Sequence, residues 1–220
     1  MELKYKNWKE ISINTFKKLQ VALKDVIITD DATLNNINSN IAMLSVLCDV
    51  DEDTIASLST SEFVKLVNDS NFLSDMPKVK ITDTYVINGK VYKVFLSLKN
   101  MSVAQYIDFQ TFYKEYDKYT RELLACFLIP EGKRYGEDYD IAEVITDIGE
   151  HLSIVDANSI LFFFVILYQS LTKTTLNCSI RDMKKMMRKE KNKEQKMKME
   201  QAIMELKKAR DLVANGNGYF

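Results

Sequence analysis

Apolar and polar residues alternate with a period of two between Ile81 and Leu96, and with a period of three to four along most of the remaining chain. A period of two lays side chains on the two faces of a strand, whereas steps of three to four keep them on one side of a helix. The pattern predicts a mostly α protein of α+β class, a helical body with one β-hairpin over about residues 79–98 and a long charged C-terminal helix. Inside the hairpin, Asn88-Gly89 supplies the two positive-φ residues of a type I′ turn. This two-residue loop sets the register, pairing Ile87 with Lys90, Tyr85 with Tyr92, Asp83 with Val94 and Ile81 with Leu96 on a mostly apolar face. The other face carries Lys80, Thr82, Thr84, Lys93 and Ser97 and is mostly wet, with Val86, Val91 and Phe95 as exceptions. A two-stranded ribbon alone is marginal in water, so a helix or a further strand must cover it, and the helix that follows is the first candidate.

That helix begins at Ser102, which has Gln105 three residues on, the spacing of a capping box. Phe109, Phe112, Tyr116, Tyr119, Leu123 and Cys126 then recur at three- and four-residue steps, and Tyr106 and Tyr113 widen the apolar side. An aromatic row at this spacing reads first as core. Tyrosine also joins a large contact area to a hydrogen-bonding tip, which makes Tyr106, Tyr113, Tyr116 and Tyr119 candidate partner contacts.

Upstream, helices are predicted over Trp8 to Leu23, Leu34 to Leu47 and Asp51 to Leu58, with a brief extended piece at Val26 to Ile28. Ser59 and Glu62 form a second capping box, and Met76-Pro77 ends that region. Downstream, Phe127 to Pro130 runs into the loop EGKRYGEDYD. Asp140 caps a helix reaching His151, and Ser153 with Asp156 starts another, SIVDANSILFFFVILYQSL, read as the core of the domain. Its greasy run, Ile160 to Tyr168, is nine residues long. Crossing a bilayer takes about 20, so the run is expected to be a buried helix with no membrane partner.

Beyond Asn177 the chain turns rich in Lys and Met, and a single helix is expected from Ile180 to about Val213. Its apolar positions sit at the two ends, while Arg188 to Lys196 has none and cannot be buried. Methionine suits an adaptable, reversible contact, so Met183, Met187, Met197, Met204 and Leu206 join the candidate partner residues. The expected organisation is a body over residues 1–177, with N-terminal helices over 1–76 and a core over 77–177. A basic extension with a flexible tail occupies 178–220.

Composition agrees with long helices, since 220 residues include 6 Gly and 2 Pro, too few turn formers for a sandwich, barrel or dinucleotide fold. The net charge of -1 hides a polarity. Residues 181–210 hold 12 Lys and Arg against 5 Asp and Glu, a surplus of +7 that leaves -8 elsewhere. Cys48, Cys126 and Cys178 are far apart and odd in number, which suggests neither a zinc site nor a disulfide framework and fits a reducing cytosol. The start, MELKYKNWKE, is too charged for a signal peptide.

Catalytic chemistry finds little to stand on. Asp49 to Asp53 begins like a calcium loop, but Thr54 and Thr60 stand where that loop needs Gly and Glu, so it reads as an acidic helix start. His151 is the single histidine and reads as a helix-end residue, and phosphate-binding glycine motifs are absent. No catalytic residue, metal or cofactor is assigned. The basic helix lacks interleaved aromatics, so direct nucleic-acid binding is not expected.

Three strings together, YVINGKVYKV followed by MSVAQYIDF, then LLACFLIPEGKRYGEDYDIAEV, then HLSIVDANSILFFF, resemble small morphogenesis proteins of tailed phages that infect Bacteroides-like gut bacteria, of the type called tail assembly chaperone. The resemblance covers roughly Asn71 to Leu171. It implies a non-enzymatic protein of the host cytoplasm that coats an elongated tape-measure-type protein and recruits tail-tube subunits. The alternative is a permanent virion component, such as a neck, ring or internal capsid protein, and self-association is compatible with both.

Overall fold

The computed structural model describes residues 1–95 and 100–214. Helices α1 (Ile13–Asp25), α2 (Ala32–Cys48), α3 (Glu52–Ala56) and α4 (Thr60–Asp69) come first, followed by a 3-10 turn at Ser70–Ser74. Strands β1 (Thr84–Ile87) and β2 (Lys90–Val94) precede α5 (Val103–Tyr113), α6 (Thr120–Ala125) and β3 (Leu128–Pro130). Then follow α7 (Ile141–His151), α8 (Ile154–Lys189) and α9 (Lys193–Ala214). With most of the described residues helical and an antiparallel three-stranded sheet in the order β1-β2-β3, the fold is mostly α of α+β class, as the periodicity predicts.

Side-chain caps start most helices. Ser12, Asp31, Asp51 and Asp140 each accept from an N–H of the first turn, and Ser59 with Glu62 completes the predicted capping box. The acidic run at Asp49 is divided between two helix ends. Asp49 closes α2 at φ 57° and pairs with Lys4, and Asp51 opens α3. α1 begins at Ile13 instead of near Trp8, because Ser12 caps it and Asn7 to Ile11 form turns; Trp8 lies between Phe16 and Phe72 and donates to the Asp75 carbonyl at 3.0 Å.

The hairpin has the predicted register, with Ile87 opposite Lys90 and Tyr85 opposite Tyr92 around Asn88 and Gly89 at φ 50° and 72°. Val94 donates to the Asp83 carbonyl, whereas the expected partner Leu96 lies outside the described residues. Ile87, Tyr92 and Val94 are buried and Val86 is exposed, so the face assignment holds. The cover differs from the expectation. β3 pairs with β2 along Leu128 to Pro130, and α7 packs on β1; Pro130 fits there because β3 is an edge strand.

Three further expectations are corrected. The aromatic seam from Phe109 to Cys126 is not one helix, since α5 ends at Tyr113 and Lys114 to Tyr119 close into turns before α6. Four charges in that stretch, Lys114, Glu115, Asp117 and Lys118, favour water, and the turn lets Phe109 and Leu123 enter one core. Second, the helix expected from Ile180 to Val213 is divided. Nothing at Asn177 stops α8, which runs on to Lys189, and Asn192 then caps α9 by accepting from the N–H groups of Glu194 and Gln195. Third, Ile160 to Tyr168 is not wholly buried. Ile160, Phe164 and Val165 are buried, but Phe162 and Ile166 are exposed.

Nor does the apolar stretch stop at nine residues. Among the described residues α8 is the helix long and apolar enough to cross a membrane by length and composition, with an 18-residue window of mean hydropathy 1.7. The densest core lies elsewhere, in the unbroken buried run Leu123 to Ile129. The chain separates into two compact units, Met1–Ile160 and Leu161–Phe220, and α8 begins in the first.

Candidate protein-interaction site

α5 is a surface helix tied from behind by Gln105 and Phe109. Ser102 accepts from the Gln105 N–H at 3.1 Å, as its spacing predicts. The Gln105 side chain does not reach back to close the box. It is buried, and its Nε2 donates to the Cys126 carbonyl at 2.7 Å, satisfying a group left open by the end of α6. Four residues on, Phe109 is buried with its ring 5.5 Å from Phe127 and 5.5 Å from Tyr113. Gln105 and Phe109 thus fix which side of α5 faces inward. At 100° per residue the opposite side carries Val103 and Ile107, with Tyr106 flanking, and these are 78%, 56% and 50% exposed. The result is an apolar, solvent-facing patch.

The four predicted tyrosines are distributed unequally. Tyr106 belongs to the exposed patch. Tyr113 is half-buried against Phe109, Tyr116 is half-buried in the turn after α5, and Tyr119 is half-buried 5.6 Å from Phe112 with Lys118 over its ring. All three lie in the first unit. The other five lie in the second unit. Met183 and Met187 on α8 and Leu206 on α9 are half-buried, whereas Met197 and Met204 on α9 are exposed. Sequence reasoning passed over Val103 and Ile107, although their four-residue step on the side away from the seam was a usable signal.

It also missed the polar tie beneath the hairpin. Asp147 of α7 is buried, and its Oδ1 accepts from Asn88 Nδ2 at 2.8 Å. Its Oδ2 accepts from Lys90 Nζ at 2.9 Å and from the Tyr92 hydroxyl at 2.9 Å, and Lys90 also reaches Glu143 at 2.6 Å. Burial by itself would raise the Asp147 pKa, but the bonds from Lys90, Asn88 and Tyr92 outweigh it and hold the carboxyl below the usual carboxylate range. Hydrogen bonds to Glu143 and Asp147 push the Lys90 ammonium up, and burial with the bond to Asp147 pushes the Tyr92 phenol up to about 12. A carboxylate engaged by three donors serves as a clamp between the turn and α7. The available signal was an acid on the apolar side of α7, between Val144 and Ile148.

Other reactive groups are quiet. Burial pushes the Cys126 thiol up to about 12, so it stays protonated near neutrality beside the Tyr135 hydroxyl, which itself donates to Asp108 at 2.8 Å. His151 is the last residue of α7, with Nε2 3.8 Å from Glu150. Among the described residues no three His, Cys, Asp or Glu side chains gather as metal ligands would. Compared with known protein families, curated proteins and solved structures, the chain gives no match.

Proposed function

We propose that this protein is a non-catalytic assembly factor, a phage tail assembly chaperone, that shields an elongated helical partner of tape-measure type in the host cytoplasm and hands it on to tail-tube subunits. The supporting observation is the α5 patch, where Val103, Tyr106 and Ile107 stand in water on a helix locked from behind by Gln105 and Phe109. A contiguous exposed apolar patch on a rigid element suits the capture of another apolar helix, and its modest size suits release. The sequence resemblance supplies the phage context.

Co-expression with the long helical partner tests the reading. The wild-type chain is expected to raise the partner's soluble fraction several-fold, and a Val103→Asp, Ile107→Asp variant is expected to lose that effect while melting as the wild type does. Unchanged partner solubility sinks the proposal. Mass spectrometry of purified particles separates the two phage roles, because a chaperone is absent from the finished virion and a neck, ring or capsid component is present at fixed copy number.

A further inference from the structure

α1 and α2 pack together and are joined by a short loop from Val26 to Asp31. Asn35 pins that loop: its Oδ1 accepts from the Thr29 N–H at 2.8 Å and its Nδ2 donates to the Thr29 carbonyl at 2.7 Å. Asp31 completes the corner by accepting from the N–H groups of Thr33 and Leu34. So fastened, the loop presents Ile27 and Ile28 to solvent, 79% and 73% exposed, at the end of the pair where Val21, Leu34 and Ile37 are exposed as well. Aliphatic groups held out by a pinned backbone lose little freedom on docking. Asp25, Asp30 and Asp31 surround them against Lys24, all exposed, so a fitting partner is apolar with a basic rim.

A surface of that chemistry exists on the chain. Lys193, Met197, Met204 and Lys208 follow at four- and seven-residue steps along one side of α9, with Glu200 between the two methionines, and all five are exposed. The charge balance is complementary. Residues 161–220 hold 13 Lys and Arg against 6 Asp and Glu, a surplus of +7, and residues 1–160 carry -8. The geometry points to a second copy of this chain as the occupant, with the acid-rimmed isoleucine tip of one copy seated on the Lys-flanked methionines of the other. This association goes beyond the tail-assembly reading and needs no phage partner to be seen.

Sedimentation of the full chain at micromolar concentration and low salt is expected to show a species larger than one copy, weakening as salt screens the acidic and basic rims. Ile27→Asp with Ile28→Asp, and separately Met197→Asp with Met204→Asp, are each expected to weaken association about tenfold or more. An equimolar mixture of the two variants keeps one intact tip and one intact methionine stripe, and is expected to recover a mixed dimer. Should either variant melt early, the charge pair Asp30→Lys and Lys208→Glu leaves every apolar side chain in place, each change weakening association and the two together restoring it. A chain that sediments as a monomer at low salt, a tip variant that still associates, or a mixture that fails to recover overturns the inference.

Discussion

Leu123 to Ile129 and Ile160 to Tyr168 are both long apolar runs, yet every residue of the first is buried, whereas Phe162 in the second is 67% exposed. Geometry explains the contrast. Nine consecutive residues on a helix point all round its axis, so burying them all needs neighbours on every side. Leu123 to Ile129 escapes this demand by changing from α6 to β3 midway, which gives α7 and α5 to its helical half and β2 to its extended half. Hydrophobicity therefore states how much surface a segment can bury, and the surrounding elements decide how much of it is buried.

The largest expected effect tests this difference directly. Phe127→Ala, at a fully buried ring, is expected to cost about 3–5 kcal/mol, and Phe162→Ala to change stability by no more than about 0.5 kcal/mol. Urea unfolding measures both, and equal losses would abolish the distinction between the runs.

α7, which packs on α6, offers a sharper probe through Asp147. Asp147→Ala strands the buried Tyr92 hydroxyl and should cost about 1–3 kcal/mol. The pH dependence has a definite sign. The Asp147 carboxyl is held low, so its contribution is complete above the unfolded value of about 3.9 and is lost as pH falls through its folded value. Lys90 and Tyr92 are held high, so theirs are complete below about 10 and are lost on the alkaline side, for Tyr92 through about 12. Melting temperature should stay level through neutrality and fall at both extremes, and Asp147→Asn should flatten the acid limb. An unaltered acid limb in that variant removes the clamp from the account.

The smallest effect concerns Gly149, also on α7. A Cβ there would lie 2.7 Å from Arg121 Cδ and 2.9 Å from Asn14 Oδ1. Alanine normally gains about 1 kcal/mol over glycine inside a helix. Here crowding should reverse the sign, leaving Gly149→Ala about 1 kcal/mol less stable, and thermal melts showing a gain would mean that Arg121 simply moves aside.

Much of the fold was legible where one or two neighbouring residues suffice to dictate it. Asn88-Gly89 announced the turn and its register, and Ser59, Asp140 and Ser153 announced helix starts because a cap acts within one turn. β3 was hidden because Leu128 to Pro130 is too short to show a period and becomes a strand only beside β2. The division between α5 and α6 was hidden for a related reason, since no Gly or Pro marks it and the core on either side imposes it. At the candidate site, Tyr106 was readable as an amphipathic surface tyrosine, but which side of α5 faces water depended on Gln105 meeting the Cys126 carbonyl, 21 residues away.

By itself the sequence determined the helical class, the hairpin with its apolar face, most helix starts and the division of charge between residues 181–210 and the remainder, because all of these follow from local spacing and side-chain chemistry. Tertiary structure alone decided that Leu123 to Ile129 is the densest core, that Asp147 clamps the turn, and that Val103, Ile107, Ile27 and Ile28 stand in water. Burial depends on which distant segments arrive to cover a side chain, and no local pattern records their arrival.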